Sequence, residues 1–286
     1  MNAKSKIVRG LAKVLGNTLV HLRPKKARQL AEDRITLVHK NKKYLSLQEK
    51  LMRYALIQKL EKIQDYDKIA ELNREFWTNK GATEFFTEVE NTFETDFLPN
   101  CTFVFNLLKK ELLSVDIEFN TLVEIGTGNG KVLNYLSSEF PEIKRLVGID
   151  LSLKQVEINR NKFKNSNTRI EFVASDAFDW IKEHGQSGTI FVTSRGVLEY
   201  FLEERLQDFL SHISQLGEIM FVAIEPNAAN HNFETHPNTQ LYGLEPSFSH
   251  NYPKLFKNAG FSLWHFSQKI WNNPTMNRTI IGAKNF

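Results

Sequence analysis

The chain has 286 residues, 41% of them apolar and 24% charged, which suits one sizeable core plus an extension. Its single cysteine, Cys101, excludes an internal disulfide and any multi-cysteine metal site and points to reducing, cytoplasmic surroundings; no apolar run approaches the roughly 18 residues of a spanning helix, and the amino terminus lacks the apolar core of a signal peptide. The net charge of +4 conceals an asymmetry: residues 1–45 hold twelve Lys and Arg against Glu32 and Asp33, a net of +10, which leaves −6 for the remainder.

Within that basic segment Ile7, Leu11, Val14, Leu15 and Leu22 recur at helical spacing, with Lys6, Arg9 and Lys13 on the opposite side. Two readings stay open: a helix lying weakly on an anionic membrane surface or an acidic partner, or the solvated face of a helix packed on the protein. Nucleic acid fits poorly, because no aromatic residues that could stack on bases are interleaved with these charges. Ser46-Leu47-Gln48-Glu49 has the form of a capping box, and Leu47, Leu51, Tyr54 and Leu60 follow it, so a helix is expected to about Gln64. Further helices are expected over 67–77 and 99–113, separated by Gly81 and the polar stretch 88–96. The aromatics Phe76, Trp77, Phe85, Phe86 and Phe93 suit an interface between the two halves or a lid over a ligand. The expected divisions are a basic segment 1–45, a helical extension 46–115 and an α/β domain 116–286.

After Asn120, short β-rich runs alternate with helical patterns: 122–125, 145–149, 170–174, 189–193 and 217–224. Such alternation predicts a parallel sheet covered by helices. A long loop then leads to a helix at about 250–258 and to strands over 261–270 and 278–283, close enough together to form an antiparallel hairpin at the sheet edge.

The chemistry concentrates at strand ends. Val123 to Lys131 joins the first strand to a turn carrying Gly126, Gly128 and Gly130, and then to a helix with Val132, Leu133, Leu136 and Phe140. Glycines at alternate positions let backbone approach a ligand and adopt positive φ. Asp150 ends the second strand, where a carboxylate can accept from both hydroxyls of a ribose, and Asp176 ends the third, in reach of an adenine amino group. Ordinary helix capping is the competing role at Ser152 and Asp176.

With VEIGTGNGKVL, GIDLS, VASDAF and TSRGVLEYF in this order, residues 117–286 resemble the class I S-adenosylmethionine-dependent methyltransferase family. The resemblance implies a Rossmann-like sheet of seven strands with the last antiparallel, and S-adenosylmethionine as cofactor. It places Glu124, Gly126, Gly128 and Gly130 at the cofactor's amino acid part, Asp150 with Leu151 at the ribose, Asp176 and Ala177 at adenine, and Thr193 beside them at the fourth strand's end. An NAD(P)-binding oxidoreductase is the competing enzyme, but its fingerprint needs a third glycine at 131, where Lys131 stands. A catalytically silent fold acting as a binding subunit is the third reading.

Methyl transfer needs alignment and, for a hydroxyl acceptor, a base. Histidine titrates nearest neutrality, so His231 is the first candidate base and His250 the second, with Arg195 or Tyr252 orienting the acceptor. Plain loop or helix-start roles compete for each. No metal is expected, since His231 and His236 lack a third ligand. The fourth strand is followed by Thr193-Ser194-Arg195-Gly196 rather than the Asn or Asp, two prolines and aromatic residue of base-amino methylating relatives, and Cys101 stands far upstream of the place a cytosine-attacking thiol would occupy. A small molecule, a glycan or a protein side chain is left as acceptor, with oxygen favoured.

Overall fold

The computed structural model describes residues 3–32, 46–78, 85, 91–164, 169–242, 247–271 and 275–286. The chain forms two compact units, residues 1–81 with 241–247 and residues 82–240 with 248–286.

The first unit is helical: α1 (Ala3–Leu22), α2 (Pro24–Glu32), α3 (Leu47–Lys62) and α4 (Tyr66–Thr78). The expected capping box starts α3. Ser46 Oγ accepts from Glu49 N at 3.3 Å, and the Glu49 carboxylate accepts from Ser46 N at 2.8 Å. Gly16 lets α1 close on α3, since a Cβ there would stand 2.2 Å from the Leu51 carbonyl oxygen. The buried side of α3 is Met52, Arg53, Ala55 and Ile57, whereas Leu47 is 73% exposed. The sequence stripe misplaces this face because α1, α2 and α4 all pack on α3 and bury it from several directions. In α4, Ile69, Leu72 and Phe76 are buried at the expected spacing.

The second unit opens with a π-helical turn, Phe93–Phe97, that runs into α5 (Leu98–Leu113). There follow β1 (Thr121–Ile125), α6 (Lys131–Glu139), β2 (Arg145–Asp150), α7 (Leu153–Phe163), β3 (Ile170–Ala174), α8 (Ala177–His184), β4 (Thr189–Ser194), α9 (Glu203–Ser214), β5 (Ile219–Ala228), α10 (Tyr252–Asn258), β6 (Ser262–Ile270) and β7 (Met276–Lys284). One sheet holds these seven strands in the order β3, β2, β1, β4, β5, β7, β6; apart from it, two short strands, Gln240–Tyr242 and Ser247–Ser249, pair with each other. The first five are parallel, and β7 runs antiparallel to both β5 and β6. The expected α/β, Rossmann-like sheet with an antiparallel last strand is therefore present. Because α5 packs in the sheet's own core, it belongs to this unit, although the sequence drew its division at 115/116.

Successive residues of a strand face opposite sides. Val123, Val147, Phe191 and Phe221 look toward α8, α9 and α10, while Leu122, Leu146, Ile190 and Val222 look toward α5, α6 and α7. β5 extends four residues past its expected end because β7 keeps pairing with it, Glu225 with Thr279 and Asn227 with Asn277, after β4 has stopped at Ser194. Consecutive strands leave β1 in opposite directions, which opens a crevice at the carboxyl ends of β1 and β4.

Candidate active site

At that crevice β1 turns back on β2: the N–H groups of Gly126 and Thr127 both donate to the Ile149 carbonyl, at 2.8 and 3.0 Å. Gly126 has φ +68° and lies under Val197, where a Cβ would come within 2.6 Å of Val197 Cγ2. Gly130, at φ +73°, begins α6 against the rings of Phe163 and Phe172. A side chain at either position meets both a strained backbone and a filled space.

The two acids beside the turn differ in what they can do. Asp150 is buried, accepting from Gly128 N and Ser152 N at 2.9 Å each. Burial raises its pKa, and backbone hydrogen bonds from Ser152, Gly128 and Leu151 pull the other way. A carboxylate can accept more hydrogen bonds than these, which leaves it able to take a ribose hydroxyl. Asn159 fastens the turn from behind through the Gly128 carbonyl at 2.7 Å. Glu124 is sealed. Thr127 Oγ1 and Ser194 Oγ donate to its two oxygens at 2.7 and 2.6 Å, and burial pushes its pKa up to about 7. It latches the glycine turn to the end of β4.

Asp176 does cap α8, accepting from Phe178 N at 2.9 Å, and also pairs with Arg205 at 2.9 Å. Asp176 is half-buried as a residue with its side chain only 8% exposed, and Leu151, Ser175, Gly126 and Asn129 are half-buried too. Ala177 and Thr193 are buried, the latter wholly and beside the Glu225 carboxylate. Beyond β4, Arg195, Gly196 and Val197 are half-buried and complete a strip of reachable residues along the ends of β1 to β4.

Arg195 holds φ +66°, a conformation that side chains other than glycine rarely adopt. Its guanidinium donates to Thr92 Oγ1, and its Nε is buried with no hydrogen-bond partner. The loop it begins is pinned by Glu225, whose carboxylate accepts from Val197 N at 2.9 Å and Leu198 N at 3.0 Å. Burial pushes Glu225 up to about 8.

The two histidines expected as bases are each hydrogen-bonded at both ring nitrogens. His231 is held by Ser249 Oγ at Nδ1 (2.8 Å) and by the His236 carbonyl at Nε2 (2.9 Å). His250 is held by Thr239 Oγ1 at Nδ1 (2.7 Å) and by the Phe201 carbonyl at Nε2 (3.1 Å). Each carbonyl requires the proton on Nε2, and the hydroxyl then donates to Nδ1, so neither ring offers a free lone pair. Burial lowers His250 to about 4. Tyr252 is wholly buried, its hydroxyl without a partner and its pKa raised well above the usual phenol value, so it does not reach an acceptor at the surface. These residues join the β5 end to α10.

Sequence reasoning missed Thr127, whose one visible signal was a polar side chain in the turn, and Asn159, which gives no signal from the middle of α7. It also missed Asp96, which accepts from Arg278 at 2.6 Å and from Trp271 Nε1 at 3.1 Å. Phe86 and Gly81, part of the expected lid or interface, lie outside the described residues. Among the described residues no three His, Cys, Asp or Glu side chains are grouped to hold a metal.

Residues 122–217 match the family model described as a methyltransferase domain. No curated protein gives a significant match. Among solved structures, the magnesium protoporphyrin IX methyltransferase of Synechocystis, determined with bound SAH, is 14% identical at TM-score 0.52, over 76% of this chain and 100% of that one. An S-adenosylmethionine-dependent methyltransferase from Clostridium acetobutylicum is 12% identical at TM-score 0.49, over 71% and 98%. One described as putative, from Listeria monocytogenes, is 17% identical at TM-score 0.47, over 64% and 97%.

Proposed function

We propose that this chain, which carries an S-adenosylmethionine-dependent methyltransferase domain at residues 122–217, methylates an oxygen of a small molecule, with a glycan the less suited acceptor. When bound, S-adenosylmethionine supplies an electrophilic sulfonium methyl. Asp150 would hold the ribose through its carboxylate, Leu151 beside it, and the backbone of Gly126 to Gly130 would approach the amino acid part. Asp176 and Ala177 would meet adenine, and Thr193 would shape the floor from within β4. Glu124 keeps the turn and β4 in register.

Oxygen is favoured by what surrounds the site. Cys101 is buried in α5 with its thiol pushed up to about 11, so it is a poor nucleophile. The charge of −6 beyond residue 45 repels a phosphate polymer. With both imidazoles committed, an alcohol lacks its base, whereas an already anionic oxygen, a carboxylate or acidic phenol, needs none. The half-buried Arg195, on a strained backbone just past the end of β4 with its Nε unpartnered, suits orienting such an anion.

The single observation that carries the reading is the Asp150 carboxylate set on the glycine turn. Calorimetry should find S-adenosylmethionine binding to the purified chain, weakened at least about tenfold in Asp150→Asn by loss of a charged hydrogen bond. Binding of NAD with no response to S-adenosylmethionine would overturn it. Incubation with cofactor labelled in the methyl group then assigns the acceptor: label in carboxylic or phenolic small molecules supports the oxygen reading, and label confined to protein overturns it.

A further inference from the structure

We propose that α1 docks the protein on an anionic phospholipid surface, lying flat on it through an outward apolar stripe. Leu11, Val14, Leu15 and Leu22 are 59%, 64%, 53% and 69% exposed. At 100° per residue they fall within an arc of about 100° on a helix roughly 30 Å long. The opposite side of α1 makes the helix's packing inside its own unit: Gly16 lies against Leu51, and Leu19 and Val20 pack on Ala27, Leu30 and Met52. The apolar stripe is thus left over after the helix has satisfied its own unit, which the sequence alone could not separate from a packing face.

Thr18 falls in the middle of this stripe and does not interrupt it. Its hydroxyl donates to the Val14 carbonyl at 3.0 Å, so it can enter an apolar medium without a bare polar group. His21 is exposed at the border of the stripe, and Lys13 is exposed on the opposite side of the helix. Side chains of Lys6, Ile7 and Arg9 lie outside the described residues. Where the stripe ends, Leu22 shares an open cleft of about 610 Å³ with Arg23, Lys25, Lys26, Ser46, Gln48 and Glu49, of which Glu49 pairs with Lys26 at 2.9 Å and leaves Arg23 and Lys25 as the net positive charge. Its cationic rim suits phosphate headgroups next to acyl chains.

Charge decides among the candidate occupants. Residues 1–45 carry a net +10, so a twofold interface through α1 would bring two strongly cationic segments together. An anionic lipid surface instead meets apolar stripe and charge at once. No helix of the described residues is long and apolar enough to cross a membrane, so the contact is one of lying on the surface.

The full chain should co-sediment with phosphatidylcholine vesicles containing phosphatidylserine, and at least about tenfold less with phosphatidylcholine alone or at high salt. Leu11→Ser with Leu15→Ser should lose the binding by a similar factor, as should Lys13→Glu with Lys25→Glu. Both pairs should keep their far-ultraviolet circular dichroism and S-adenosylmethionine affinity. Absence of wild-type sedimentation, or equal sedimentation of the serine variant, overturns the proposal. So does a dimer in sedimentation velocity that the serine variant abolishes, which would give the stripe to a second copy.

Discussion

At the residue scale the site is governed by carboxylates that burial keeps from ionising. Glu225 illustrates the consequence for stability. Below pH about 4.5 it is protonated in the folded and unfolded chains alike and costs nothing. As pH rises, the unfolded chain ionises first, and the folded state is penalised progressively until the buried carboxyl ionises at about 8, where the penalty levels off. Glu124 adds a penalty of the same sign over a window ending near 7. Glu225→Gln keeps an oxygen for Val197 N and Leu198 N while removing the titration. Urea unfolding at several pH values between 5 and 8 should show the wild type losing on the order of a few kcal/mol across the range and the variant losing less; parallel curves would refute this origin. His231 makes the complementary case. Since its nitrogens are spent on Ser249 and the His236 carbonyl, His231→Ala should lower the melting temperature by a few degrees while leaving the pH dependence of turnover unmoved. A lost alkaline or acid limb in the pH profile would return it to the role of base.

At the element scale, much of the architecture was legible because strands buried on both faces read as β-rich runs and their covering helices as 3.6-residue stripes. β1 to β4 fall within a residue or so of expectation, and the glycine turn with Asp150 and Asp176 sits at their ends. What was not legible depends on partners distant in sequence. The continuation of β5 to Ala228 exists because β7 pairs with it, and the turn at Phe93–Phe97 escapes a 3.6-residue reading because its hydrogen bonds span five residues. The hydrogen bonds of the histidines were hidden for the same reason: the hydroxyls that meet them come from elsewhere along the loop. The glycine turn itself gives a prediction. Gly126→Ala should reduce S-adenosylmethionine affinity and stability together, at a cost of about 1–3 kcal/mol, from the positive φ and the Val197 contact. Adding Val197→Ala should recover the part due to the contact and leave the part due to φ; calorimetry and thermal melts of the three variants separate them, and full recovery or none would contradict the division.

At the scale of the sheet-bearing unit as a whole, its opening and closing segments are tied by one buried ion pair. Asp96, in the π-helical turn ahead of α5, accepts two hydrogen bonds from Arg278 of β7, 182 residues away, at 2.6 and 2.7 Å. Trp271, following β6, donates to the same carboxylate and lies under the Arg278 guanidinium at 4.4 Å. Both members of the pair are almost fully buried, so each is tolerated through the other. Asp96→Leu would leave the Arg278 charge buried without its partner, which costs about 3–5 kcal/mol and roughly 10 °C in melting temperature. A buried pair repays little more than its own desolvation, however, so removing both charges should cost less than removing one. Thermal melts of Asp96→Leu, Arg278→Met and the double variant test this: the double should melt above Asp96→Leu. If the double melts lower by the sum of the two singles, Asp96 and Arg278 are not coupled, and the terminal hairpin is held by its pairing with β5 rather than by this ion pair.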